Sequence, residues 1–128
     1  ELTPLQLNVV GKITNGVIKE VEEPSLALIT HQPPCKPEDL QPGESLIENI
    51  QFAVKVLEGK GTVSREHAVA MNAAAILVLA NKVANLKEGF KISLDAIQSG
   101  KCLVKLEEFI AATGGTKKAL HTLLGGKS

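Results

Sequence analysis

The sequence predicts an α+β arrangement: a β-hairpin at the N-terminal end, followed by four to five helices. Three observations predict it. An Asn-Gly pair, Asn15-Gly16, sits between two runs rich in β-branched residues. Both central positions of a tight hairpin turn need positive φ, and Asn-Gly supplies them. Later in the chain, helix-start signals of the capping-box type recur at Ser45/Glu48 and Asn85/Glu88. Between those signals lies an almost purely aliphatic run from His67 to Ala80, without Gly or Pro.

The elements follow in order. The hairpin pairs strands near 8–13 and 17–22, across Asn15-Gly16. Glu22-Glu23-Pro24 breaks it. Leu26 to Thr30 is an apolar run of strand length, too short for its period to decide. Residues 31–44 hold Pro33, Pro34, Pro37 and Pro42 and read as a connecting loop. The helical part spans 45–113. Its first helix, capped by Ser45, sets Ile47, Ile50, Val54 and Leu57 on one face, and Gly59 and Gly61 end it. The second helix carries the aliphatic run and takes Ser64 as its N-cap candidate. Being apolar nearly all round, it is expected to be buried on most sides. Its one interior polar residue, Asn72, needs a hydrogen-bond partner. A bond to a neighbouring helix or loop is expected, with a ligand contact as the alternative. The third helix starts at Asn85 and places Leu86, Phe90, Leu94 and Ile97 on one face. Gly100 ends it as a left-handed glycine would. Leu103, Leu106, Phe109 and Ile110 mark a fourth helix, ended by Gly114 and Gly115. A short tail helix is expected over 116–124, with Thr116 as its cap.

Composition excludes several function classes. The 128 residues carry 14 basic and 14 acidic side chains, and aromatic content is 2%. Without a basic stripe or stacking aromatics, nucleic acid is not an expected partner. The aliphatic run is shorter than the roughly 20 residues a membrane span needs, so no membrane partner is expected either. Two cysteines, Cys35 and Cys102, lie far apart and suggest a reducing, cytoplasmic setting; Cys102 reads as a core thiol. His31, His67 and His121 have no metal-ligand spacing, and His67 reads as a first-turn residue. Gly125-Gly126-Lys127-Ser128 mimics the end of a phosphate-binding loop. The motif also needs a glycine where His121 stands and a helix after the serine, so a tail is the better reading. Thr113-Gly114-Gly115-Thr116 reads as a helix end and linker.

An ordered set of residues carries a family resemblance. It comprises Asn49 before Leu57-Glu58-Gly59, then Arg65, Asn72-Ala73-Ala74-Ala75 and Leu77. Leu86-Lys87-Glu88-Gly89, Ala96-Ile97-Gln98-Ser99-Gly100-Lys101 and Leu106-Glu107 follow. This set resembles the C-terminal part of the anthranilate phosphoribosyltransferase family. The resemblance implies that residues 1–128 are a C-terminal segment of a larger α/β phosphoribosyltransferase domain. It implies phosphoribosyl diphosphate and anthranilate as substrates, a homodimer at full length, and Mg2+ as cofactor. In the family an Asp-Glu pair binds magnesium and is followed by a hydrophobic residue and Ser or Thr. Glu1-Leu2-Thr3-Pro4 resembles the second half of that motif, so Glu1 is the one metal-site candidate. No catalytic or other cofactor-binding residue is expected here. The family's Gly-Thr-Gly-Gly-Asp loop, its Asn-x-Ser-Thr and Lys-His-Gly-Asn segments and its anthranilate-binding Arg have no counterpart in these residues. The sequence also departs from the family at Leu5-Gln6-Leu7-Asn8, where Gly-Pro-Thr is usual. Taken alone, the segment is expected to be inactive. A non-catalytic relative that binds a partner, and a stand-alone helical interaction module, are the competing readings.

Overall fold

The computed structural model describes residues 1–23 and 35–123. Strands β1 (Asn8–Thr14) and β2 (Val17–Glu23) form an antiparallel hairpin. Its register pairs Thr14 with Val17 and Ile13 with Ile18. Asn15 and Gly16 take φ of 51° and 77°, the two left-handed positions that the sequence provides for. Each strand runs one residue past the expected 8–13 and 17–22. Val9, Ile13, Val17 and Ile18 are all exposed, so the hairpin buries little of its own apolar surface. Two strands alone are marginally stable.

Among the described residues five α-helices follow: α1 (Leu46–Leu57), α2 (Val63–Leu79), α3 (Leu86–Gln98), α4 (Lys101–Ala112) and α5 (Lys117–Leu123). The caps at Ser45 and Asn85 form as expected. Each side chain accepts the backbone N–H three residues on, at 3.1 and 3.0 Å. Glu48 and Glu88 reach back to the N–H groups of Glu44 and Ala84. Three helices end in the same way. Gly59, Asn81 and Gly114 have positive φ. The N–H of the next residue closes back on the carbonyl five positions earlier: Lys60 on Lys55, Lys82 on Leu77, and Gly115 on Ile110. This is the Schellman closure, and it satisfies carbonyls that a helix end leaves open.

The core is built where α1, α2 and α3 meet: Val56, Ala70, Met71, Ala74, Phe90, Leu94 and Ile97. Small residues let α2 and α3 approach closely. A Cβ on Gly89 would lie 3.0 Å from both Cα and Cβ of Ala74. Leu2, Cys35, Leu86 and Cys102 pack on the edge of this cluster, so Cys102 is a half-buried thiol against the core. Helix α5 is tied to α4 by Glu107, which accepts from Lys117 at 2.8 Å and lies 3.4 Å from His121. The Lys117 hydrogen bond holds the Glu107 carboxyl below its ordinary pKa.

Several expectations need correction. The N-cap of α2 is Thr62, which accepts the Arg65 N–H. Ser64 is instead a buried first-turn residue. It accepts the Lys36 N–H at 2.8 Å and donates to Asp39 Oδ2 at 2.8 Å. Its hydroxyl is engaged by the preceding loop, and the helix starts two residues earlier, at Val63. That loop is not wholly irregular: Pro37–Leu40 forms a turn of 3-10 helix, with proline pre-setting φ at its start. Nor is α2 buried on most sides. Val69, Ile76 and Leu79 are exposed, Leu79 at 82%. On α1 the buried residues are Val54 and Val56, while Ile47 faces solvent, because only the C-terminal half of α1 reaches the core. Helix α4 has no buried residue, and Phe109 is 64% exposed. The strand-length run at Leu26 to Thr30, the start of the proline loop and Gly125 to Ser128 lie outside the described residues.

Candidate functional site

The N-terminal tetrapeptide lies across α2, and two asparagines hold it there. Asn72 accepts the Leu2 N–H at 2.9 Å and donates to the Leu2 carbonyl at 2.8 Å. Its second amide hydrogen goes to the Ala68 carbonyl one turn back, at 2.9 Å. Asn8, at the start of β1, does the same for Thr3. It accepts the Thr3 N–H at 2.7 Å and donates to the Thr3 carbonyl at 3.0 Å. The Leu2–Thr3 peptide is therefore gripped at both ends, its carbonyl by Asn72 and its N–H by Asn8. Pro4 is buried, and its ring fixes its own φ, just after the clamped Thr3. Asn72 thus finds the structural partner expected of a polar residue in an apolar helix. The partner is not a helix but the very segment that carries Glu1.

Glu1 itself is exposed. It stands at the rim of a groove of about 500 Å³ between residues 1–4 and the α2 face bearing Val69, Asn72, Ala73 and Ile76. Among the described residues no group of three or more His, Cys, Asp or Glu side chains is placed to hold a metal ion. The donor set that Glu1 offers is one hard carboxylate on a fixed backbone. Magnesium is usually held by one or two carboxylates together with substrate phosphates and water, so this residue fits as part of such a site. A larger concavity, about 690 Å³, lies between Lys12 and the α2–α3 connection. It contains no His, Cys or Asp.

A second polar cluster forms at the start of α2. Cys35 Sγ lies 3.5 Å from His67 Nδ1, beside the Ser64–Asp39 hydrogen bond. His67 is no simple first-turn residue: it is 2% exposed and meets the Phe90 ring edge-on at 5.3 Å. Burial lowers its pKa. For Cys35, burial raises the pKa, a Ser64 hydrogen bond opposes it, and the Asp39 charge adds to it. Both shifts favour a neutral thiol beside a neutral imidazole. A nucleophilic Cys–His pair needs the opposite, a thiolate, so the cluster is a structural joint. Sequence reasoning missed it because the partners are 32 residues apart and share no local pattern. Arg65 has a similar role. Its guanidinium stacks over the Phe52 ring at 3.6 Å and donates to the Gln41 carbonyl at 2.9 Å, joining α2 to α1 and the loop.

The His67 burial has a measurable consequence. The unfolded chain takes up a proton below the ordinary pKa of 6.5, and the folded chain does so only at lower pH. Stability from this residue is therefore unaffected above pH 6.5 and falls as pH drops below it, by up to about 1.4 kcal/mol per pH unit for one proton. Urea midpoints between pH 7.5 and 5 are expected to fall less steeply for His67→Gln than for the parent. The difference between the two isolates His67 from His121 and the carboxylates. Equal slopes would show that His67 does not resist protonation.

Against known proteins, the sequence matches the model described as "Glycosyl transferase family, a/b domain" over residues 1–103. It is also similar to the anthranilate phosphoribosyltransferases of Brucella ovis and Brucella canis. Each is 34% identical over 113 residues, which is 88% of this chain and 32% of the relative. The chain thus spans about a third of the length of these curated relatives. The matched region includes the hairpin, the Asn72 clamp and the whole of α1, α2 and α3, the elements that hold the core. From that match, the chain belongs to the glycosyl transferase family, as part of its a/b domain.

Proposed function

We propose that this chain is the C-terminal part of an anthranilate phosphoribosyltransferase. The complete enzyme moves phosphoribosyl from phosphoribosyl diphosphate to the amino group of anthranilate, releasing diphosphate, in tryptophan biosynthesis. The observation that carries this reading is the 34% identity with enzymes of that name over 113 residues. The fixed placement of Glu1 beside α2 supports it. In this reading the full-length protein is a cytoplasmic homodimer, without nucleic-acid or membrane partners. Among the described residues no helix is long and apolar enough to cross a membrane.

The contribution of these residues is positioning. Transfer of a group between two bound substrates gains most from holding them in a reactive geometry. Bound magnesium supplies charge stabilisation for the departing diphosphate oxygens. Glu1 is the residue of this chain that would hold it, through its carboxylate. Helix α2 is the platform under Glu1, and its exposed Val69, Ile76 and Leu79 offer apolar surface for the rest of the α/β domain. Taken alone, the segment is inactive in this reading, since the diphosphate-binding loop of the family lies elsewhere.

The test uses the full-length protein that carries this segment. Glu1→Gln keeps size and hydrogen bonding but removes the charge. The magnesium concentration for half-maximal activity is expected to rise at least about tenfold, as loss of even an indirect metal partner does. An unchanged magnesium requirement would remove Glu1 from the metal site. Absence of phosphoribosyl transfer to anthranilate in the parent protein would overturn the functional reading itself.

A further inference from the structure

We propose that Asn72 and Asn8 are positioning residues for Glu1: together they fix the backbone from which its carboxylate projects. This rests on the reading of Glu1 as a magnesium ligand. Asn72 Oδ1 takes the N–H of the peptide that joins Glu1 to Leu2, at 2.9 Å. Asn72 Nδ2 takes the next carbonyl, at 2.8 Å, and Asn8 takes the next N–H and carbonyl, at 2.7 and 3.0 Å. Four consecutive backbone polar groups are thus held by two side chains.

The side chains are themselves immobilised. Both amide hydrogens of Asn72 are used, one on Leu2 and one on Ala68. Asn8 is 6% exposed, and its amide also reaches the Gln6 carbonyl at 3.3 Å. A flexible backbone segment would let a carboxylate sample many positions, and ordering it on each binding event would weaken affinity. The double clamp meets that ordering cost in advance. Residues that orient a ligand without touching the metal typically change its affinity 10- to 100-fold when removed.

A third asparagine provides the control. Asn49 accepts the Gly43 N–H at 3.0 Å and donates to the Gly43 carbonyl at 3.3 Å. This is the same pairing, but it closes the turn before α1. Its loss should cost stability without touching the metal.

The experiment titrates Mn2+, the paramagnetic stand-in for magnesium, into full-length protein with inorganic diphosphate present. Free Mn2+ is read by electron paramagnetic resonance. Asn72→Ala and Asn8→Ala are expected to weaken Mn2+ binding about 10- to 100-fold and to speed amide exchange at Leu2 and Thr3. Asn49→Ala is expected to bind Mn2+ as the parent does. If Asn72→Ala does not fold, Asn8→Ala, which leaves α2 intact, decides alone. Parent-like Mn2+ affinity in the asparagine variants, with Glu1→Gln weakened, overturns the positioning role and leaves Glu1 as ligand. Parent-like affinity in Glu1→Gln as well overturns both. Equal weakening in Asn49→Ala reduces the effect to general stability and also overturns the proposal.

Discussion

Replacing Met71 with alanine is expected to lower the unfolding free energy by about 2–5 kcal/mol, with the value in the upper half of that range. Met71 is 1% exposed and lies in the cluster shared by α1, α2 and α3. Its cost has two parts: the thioether chain loses burial, and a void remains wherever neighbours cannot move in. Here they cannot. Ala70 and Ala74 on the same helix are already fully buried, and Gly89 of α3 already faces Ala74 at near-contact distance. Two helices whose backbones almost touch cannot close further on a cavity, so the void persists and its volume is felt. Domains of this size have about 5–15 kcal/mol of stability in all, so the loss is a large share. Met71→Leu, which keeps the volume, is expected to cost under about 1.5 kcal/mol. Urea titration of both variants checks the pair. Similar losses would show that Met71 contributes through its flexibility or sulfur and not through filled space.

Much of this fold is legible because its signals are local. Asn15-Gly16 dictates a tight turn wherever it stands between strands, and the observed φ values follow. Ser45/Glu48, Asn85/Glu88 and Gly100 work within one helical turn, and each acts as read. The failures occur where a distant partner decides. Thr62 and Ser64 are both competent caps. Ser64 is withdrawn from capping by Lys36 and Asp39, which no local pattern connects to it. The aliphatic run of α2 gives no hint of direction, since Val69 and Met71 are equally apolar in sequence. Only the position of α3 decides that Met71 is enclosed and Val69 is not. Asn72 was legible as a residue in need of a partner, but its partner lies 70 residues away. Asn8 looked like an ordinary strand residue, and the clamp it makes on Thr3 had no signal beyond a polar residue at the strand start.

The candidate site follows the same logic. The resemblance singles out Glu1, and the geometry adds why that residue has a defined position: a helix that packs into the core on one side is also the one that holds its backbone. Met71, Ala70 and Ala74 fix α2 against α3 from one side. Asn72, from another side of the same helix, transmits that rigidity to Leu2. Packing and site placement are thus linked through one element, and a cavity at Met71 should loosen both.

The second large effect is expected at Gly59. Gly59→Ala should cost about 2–4 kcal/mol, from two sources of similar size. Its φ is +70°, a left-handed conformation in which a Cβ is strained by about 1–2 kcal/mol. In addition, an added Cβ would lie 2.8 Å from the Gln98 Cα and 2.8 Å from the Ile97 carbonyl oxygen. Those atoms are backbone at the end of α3, so no side chain can turn away, and the two helix ends must separate. The contact is reciprocal: Gly100, just past the end of α3, faces the Glu58 carbonyl, 3.9 Å from where its own Cβ would be. The glycines that close α1 and α3 therefore let the two ends interlock, which brings Val56 and Ile97 into the same core. Gly114→Ala separates the two sources. Gly114 has φ of +85° but nothing within 4 Å of an added Cβ, so only the conformational cost of about 1–2 kcal/mol applies. Chemical denaturation of both variants measures the difference. If Gly59→Ala cost no more than Gly114→Ala, the close approach of α1 to α3 would not be holding these helices together.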